Sequence, residues 1–307
     1  MKYGLALKGG GQRGLITACV LAGIEKQLGK PMREIVSYVA GTSTGALLAG
    51  AICAGIPAAQ MVDFYTNRTK EVFKPTGVLD DIELITRGYR YDIKNLMKLL
   101  ESIFTGPVAS WTMNDCPIGI MIPAVASNGH LWYFVRDTAK NSRMTGTVNL
   151  LEAMSASAAA TTYFDAQRVA IPTLPSKGLN CFDGGVGGQA NPTYECATEM
   201  FEYDVFQPLE TGIVTFGTGF YPVDPVADTA PPKGLLGGIE FATSTLVETS
   251  EDFVDQVSAS QWPGTIRKFD WQLPRDISMD DLSAIPDLLK IGQAAATATD
   301  WLKVFVL

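Results

Sequence analysis

Residues 41–45 read Gly-Thr-Ser-Thr-Gly, a serine flanked at two residues on each side by glycine. They fall between an apolar run, Ile35 to Ala40, and a stretch from Gly45 to Ala54 built only of Gly, Ala, Leu, Ile and Cys. A sharp strand-to-helix turn of this composition holds a serine hydroxyl out from the edge of a sheet, where it can attack a carbonyl carbon. The helix N-terminus beneath favours the negative charge that develops on attack. Ser43 is therefore a candidate nucleophile, with Gly41 and Gly45 relieving crowding in the elbow. The alternative is a Gly-rich turn whose serine caps the helix.

A serine nucleophile needs a base, and the chain has a single histidine, His130. It follows Asn128-Gly129, the dipeptide favoured in tight hairpin turns, which puts it at a surface tip. In α/β-hydrolases the histidine comes last, after the acid; here His130 precedes any plausible acid. A carboxylate is then the base to consider. Asp183 ends a short strand, Leu179 to Phe182, and precedes Gly184 and Gly185, which let another backbone or a substrate come close. An ordinary turn aspartate before two glycines has the same appearance.

The third constellation is Gly9-Gly10-Gly11-Gln12-Arg13-Gly14. Its backbone N–H groups can form an oxyanion hole for acyl transfer, with the positive charge of Arg13 nearby. The same glycines, 9, 11 and 14, satisfy G-x-G-x-x-G, the dinucleotide-binding fingerprint. That second reading demands an acid at the end of the next strand; this strand ends at Ala40-Gly41-Thr42, and the nearest acid, Glu34, lies before it.

The elements that position these residues alternate. A strand over Tyr3 to Leu7 leads through the glycine loop into a helix with Ile16, Val20, Ile24 and Leu28 on one face, stopped by Gly29 and Pro31. The strand Ile35 to Ala40 and an all-apolar helix follow. Strand-helix-strand-helix with buried strands implies an α/β fold whose sheet is mostly parallel and covered on both faces. Farther on, Pro75 to Gly88 reads as loop and Asn95 to Phe104 as an amphipathic helix suited to a cap. Ile118 to Ala126 and Leu131 to Val135 form a hairpin, an Ala-rich helix covers Leu150 to Ala160, strands lie near Val169 and Cys181, and a further strand runs from Ile213 to Phe216. Residues 1–307 are expected to form one domain, with a core over about 1–220. Asp224 to Lys233, with three prolines, loosely sets off a C-terminal helical portion, about 234–307.

Composition bounds the partners. The net charge of −8 opposes phosphate-tracking nucleic-acid binding and docking on anionic lipid by charge alone. Cys19, Cys53, Cys116, Cys181 and Cys196 form an odd set without a C-x-x-C pair, as expected of reduced, buried thiols in a cytoplasmic protein. The apolar start before Lys8 is too short for a secretory signal. Ile35 to Val62 carries no charge, but its Thr, Ser, Pro and many small residues read as a buried strand and helix, not a membrane span.

In combination these motifs resemble the patatin-like phospholipase family. Gly9 to Gly14 looks like its glycine-rich oxyanion loop with the following arginine, Ser43 its nucleophile, and Asp183-Gly184-Gly185 the segment carrying the second member of a Ser-Asp dyad. Ala156 to Phe164, Asn191-Pro192 and Gly217-Thr218-Gly219 are similar to further family segments; Thr161 departs where relatives often have proline. The resemblance covers about residues 3–220. It implies a three-layer α/β/α fold and a lipid acyl hydrolase of phospholipase A type that needs no metal or cofactor. Its oxyanion site would be Gly9, Gly10, Gly11 and Arg13. Its partner would be a phospholipid or another acyl-ester lipid at a membrane surface, reached peripherally from the cytoplasm, and not nucleic acid. An acyltransferase of the same fold, or a nucleotide-binding protein using the glycine loop, are the alternatives. Some bacterial relatives await a partner or small nucleotide, and no residue here reads as such a switch.

Overall fold

The computed structural model describes residues 1–74, 88–141, 144–222 and 234–305. Strand β1 (Lys2–Leu7) pairs in parallel with β2 (Tyr38–Gly41) on one side and with β9 (Thr211–Phe216) on the other. Beyond β2 lies β4 (Gly119–Ala126), also parallel; β8 (Gly178–Asp183) and β7 (Gln167–Ala170) continue antiparallel. β5 (Leu131–Val135) forms the expected hairpin with β4, and β10 (Ile266–Phe269) closes the opposite edge, parallel to β9. A separate two-stranded pair joins β3 (Tyr89–Tyr91) to β6 (Thr162–Phe164).

Alternation of side chains along these strands creates two apolar faces. Leu5, Leu7 and Val39 enter the larger core with α1 (Gly14–Leu28), while Ala6, Tyr38 and Ala40 face a smaller one. Chain order then gives α2 (Met32–Ile35), α3 (Thr44–Ala54), α4 (Ala58–Asp63), α5 (Ile93–Ile103) and α6 (Leu150–Ser157). The smaller face is covered by α7 (Thr193–Thr198), against which α8 (Gly234–Gln261) packs. α9 (Ile285–Ala298) lies along α1, and α10 (Trp301–Val304) follows. Helices thus flank a mostly parallel sheet on both faces, the α/β class implied by the sequence. The glycines make the α1–α9 contact close: a Cβ on Gly23 would fall 2.6 Å from that of Ala296, and one on Gly292 2.7 Å from that of Cys19.

The expected strand from Ile35 is shorter than read. Pro31 starts one turn of helix, α2, and β2 begins only at Tyr38. The cause is Glu25, whose carboxylate accepts the Met32 N–H and the Ala58 N–H, both at 2.9 Å, and so caps α2 and α4 together. The Ala-rich helix ends at Ser157, and the C-terminal portion read as helical contains β10, a member of the main sheet. Most of the Pro75–Gly88 stretch and all of Asp224–Lys233 lie outside the described residues. All five cysteines are free and buried, and no helix among the described residues is long and apolar enough to cross a membrane.

Replacing Glu25 by Ala removes two charge-assisted bonds at once, and unfolding free energy falls by about 2 kcal/mol. Urea denaturation checks this, with the midpoint lowered and the m-value unchanged.

Candidate active site

β2 ends at Gly41 and α3 begins at Thr44, so Thr42 and Ser43 alone must turn the chain. Ser43 does so at φ 56°, ψ −123°, a region L residues seldom occupy. The two flanking glycines are needed for space: a Cβ on Gly41 would lie 2.2 Å from the Gly45 carbonyl oxygen, and one on Gly45 2.2 Å from the Leu7 oxygen. The start of α3 is thereby pressed against the end of β1. The Thr42 N–H donates to the Leu7 carbonyl at 3.1 Å, and the Ser43 N–H donates to the Ser157 hydroxyl oxygen at 3.0 Å. Thr44 hydrogen-bonds through its hydroxyl to the buried Tyr65 hydroxyl.

Asp183, the last residue of β8, is 5 % exposed. Its own N–H donates to the Ala159 carbonyl at 2.9 Å, and its Oδ1 accepts the Gly185 N–H at 2.7 Å. The Ser43 side chain faces the same carboxylate. Burial pushes the carboxyl up to about 6, against the opposing pull of the Ser43 and Gly185 hydrogen bonds. A carboxylate with this affinity for a proton is ionised at neutral pH yet basic enough to take one from a hydroxyl. The structure brings Ser43 and Asp183 together from opposite ends of the family-like region; His130 stays exposed at the β4–β5 turn.

The glycine loop borders this pair. A Cβ on Gly9 would stand 3.4 Å from that of Ser43, so main chain passes beside the candidate nucleophile. The Gly9 N–H, however, donates to the Ala190 carbonyl at 2.9 Å and is no oxyanion donor, a correction to its expected role. Gly10 (φ 154°) and Gly11 (φ 57°) keep N–H groups that find no acceptor among the described residues. Both conformations belong to glycine, and there is no room for a side chain: Thr218 Oγ1 and the Met279 carbonyl oxygen lie 2.1 and 2.4 Å from the respective Cβ positions. Arg13 sits behind the loop, its Nε 3.4 Å from the Gly10 carbonyl, where it steadies the peptide that presents the Gly11 N–H. With the Gln12 N–H given to Met279 and Thr218 packed on Gly10, the loop is roofed by protein where a dinucleotide would need an open cradle.

From Ser43 an apolar pocket runs between Leu47, Phe64, Phe73 and Phe164, with Ala158 in its wall. The Ala156–Phe164 segment therefore borders the same pocket as Ser43. No group of three or more His, Cys, Asp or Glu among the described residues could hold a metal ion.

The family model described as patatin-like phospholipase matches residues 5–196, from β1 past Asp183 into α7. The chain belongs to the patatin-like phospholipase family. Among curated members, it is similar to the cGAMP-activated phospholipase of Pseudomonas aeruginosa, at 29 % identity over 187 residues, covering 61 % of this chain and 53 % of that one. The cGAMP-activated phospholipase of Escherichia coli is 30 % identical over 207 residues, covering 64 % and 55 %. The rat 85/88 kDa calcium-independent phospholipase A2 is 29 % identical over 239 residues, covering 72 % of this chain and 28 % of that protein. The chain thus spans about half the length of the two bacterial relatives.

Three contributors escape a reading of patatin-like motifs alone. Ser157 looks like one more small residue in an Ala/Ser-rich helix, and only the fold shows it accepting from the Ser43 N–H. Thr42 lies inside the elbow motif, yet its 2.5 Å bond to the Gln189 carbonyl depends on where the post-Asp183 loop goes. Lys8 carries the clearest signal, a cation at the end of an apolar strand.

The raised carboxyl of Asp183 gives a pH prediction. Fluorophosphonate labelling of Ser43 rises with pH through a midpoint near 6 as Asp183 ionises. The stability effect has the opposite sign: the folded state holds this proton more tightly than the unfolded chain. The contribution is therefore full below the ordinary aspartate range and is lost as pH rises through about 6. Asp183→Asn flattens both profiles, read by labelling rate and by thermal melts across pH 4–8, roughly the window in which such carboxylates titrate.

Proposed function

We propose that this protein is a lipid acyl hydrolase of phospholipase A type, acting through a Ser43–Asp183 dyad. The observation that carries the reading is the placement of the Ser43 side chain against a buried carboxylate that burial pushes up to about 6, on the wall of an apolar pocket. Membership of the family and the phospholipase names of its relatives support the substrate class.

In this mechanism the first carbons of an acyl chain enter the small pocket between Phe64, Phe73 and Phe164, which sets the ester carbonyl over Ser43. Asp183 accepts the hydroxyl proton as Ser43 Oγ forms a bond to the carbonyl carbon. The resulting oxyanion is held by the N–H groups of Gly10 and Gly11, which are fixed before substrate arrives and so cost no reorganisation. Collapse breaks the ester bond, and the departing alkoxide takes the proton from Asp183. Water then repeats the sequence on the acyl-enzyme: Asp183 removes its proton, hydroxide adds to the carbonyl, and Ser43 leaves reprotonated with release of the fatty acid. A transient, peripheral contact of a cytoplasmic protein with the bilayer is part of this reading; the free, buried thiols are consistent with it.

Ser43→Ala and Asp183→Asn each reduce fatty-acid release from phosphatidylcholine vesicles by at least about a thousandfold, the scale on which a nucleophile or its base is lost. Mass spectrometry of the products is the measurement. Full activity in either folded variant rules out the dyad.

A further inference from the structure

Lys8 is the residue that turns β1 into the glycine loop, and its side chain is only 2 % exposed. Its neighbour Leu7 enters the larger core, so alternation sends Lys8 to the opposite face of the sheet, towards α8. There its ammonium pairs with Glu251 at 3.1 Å and with Asp255 at 3.2 Å. Burial alone would push the lysine down; Glu251 and Asp255, with Asp270 beyond, outweigh it and hold the group above the ordinary lysine range. The Lys8 cation is therefore kept.

Asp255 carries the connection onward. Its Oδ1 accepts from Asn191 Nδ2 at 2.6 Å, and its other oxygen pairs with Lys268 of β10. Asn191 also donates to the Glu251 carbonyl at 3.3 Å and is itself fully buried. The residue before it, Ala190, accepts the Gly9 N–H, and the one before that, Gln189, accepts the Thr42 hydroxyl. A closed ring results: Lys8 to Asp255, Asp255 to Asn191, Ala190 to Gly9, and Gly9 back through one peptide to Lys8. It ties together the oxyanion loop, the nucleophile elbow and the segment that follows Asp183.

A buried ion pair is a poor source of stability, because desolvation offsets most of the attraction, and an apolar side chain could fill the same space. What the pair does supply is direction. An ammonium between two carboxylates has one place to be, whereas an apolar contact slides.

We propose that Lys8 is a positioning residue: its ion pairs with α8 fix the Gly9–Gly11 backbone, so the oxyanion site depends on a helix that lies outside the family-matched residues 5–196. This rests on the dyad mechanism above. The role is distinct from catalysis, since Lys8 reaches the reacting atoms only through the loop it holds. Misaligning the Gly10 and Gly11 donors penalises the transition state and leaves the acyl pocket unaltered.

The test uses the full chain and two readouts, the rate of Ser43 labelling by a fluorophosphonate and the kcat and KM for a p-nitrophenyl acyl ester. Lys8→Met, close in length and uncharged, lowers kcat by about 10- to 100-fold, somewhat less than removal of an oxyanion donor, while KM stays within about twofold. Asp255→Asn gives a smaller loss of the same kind. The double variant is no slower than Lys8→Met alone, because both changes open one ring. If Lys8→Met does not fold, Asp255→Asn alone, judged by the same kcat loss at constant KM, decides the matter. Wild-type kcat in a folded variant, losses that multiply in the double variant, or a rise in KM with kcat unchanged each overturn the proposal and leave the dyad standing. Failure of the wild-type protein to label, or equal labelling of Ser43→Ala, overturns the dyad and this proposal with it.

Discussion

The backbone of Ser43 is held in a conformation that an L residue avoids, and the surrounding structure is organised around keeping it there. Such a residue costs on the order of 1–3 kcal/mol and persists only when its neighbours over-determine it. Here they do so from every side. β1 blocks the turn from below through the Leu7 carbonyl, Ser157 takes the Ser43 N–H from α6, and Thr42 is pinned to the loop after Asp183. Because β1, α6 and that loop are the elements that also carry the glycine loop, the pocket wall and the base, the constraint on one torsion aligns the whole site.

The proposed base raises a second requirement, since a carboxylate that is to take a proton from serine must be kept from water without becoming permanently neutral. Burial raises Asp183, and two donors, the Ser43 hydroxyl and the Gly185 N–H, restrain the rise. The balance leaves the group near 6. An extra donor would make Asp183 too weak a base; the loss of one would leave it protonated for much of the time. In the proposed dyad Gly185 is thus as much a part of the acid–base balance as the serine, through its backbone alone.

Much of this was legible in the residues. Three- and four-residue spacing located α1, an all-apolar run α3, the Asn128-Gly129 dipeptide the β4–β5 hairpin, and short apolar runs β1 and β9. The nucleophile elbow and the Asp183 turn were visible because glycine is the residue that permits close main-chain approach. Two kinds of feature were not legible. One is the competition between nearby elements: the strand expected from Ile35 yields to a helical turn because Glu25, an exposed-looking residue on α1, caps it. The other is any bond between distant segments. Nothing local in Gly9 tells that its N–H belongs to Ala190, and nothing in Arg267-Lys268 tells that a short charged run is an edge strand of the central sheet.

The Gln12 N–H that ends on the Met279 carbonyl joins the turn after β1 to a loop far along the chain, and β10 enters the sheet from the same later stretch. On a ribosome the serine elbow and its base emerge well before either. The glycine loop gains its remaining walls only once this later stretch has been made. A nascent chain carrying every patatin-like motif therefore still lacks the contacts that hold the glycine loop, which come only when this later stretch folds onto the rest.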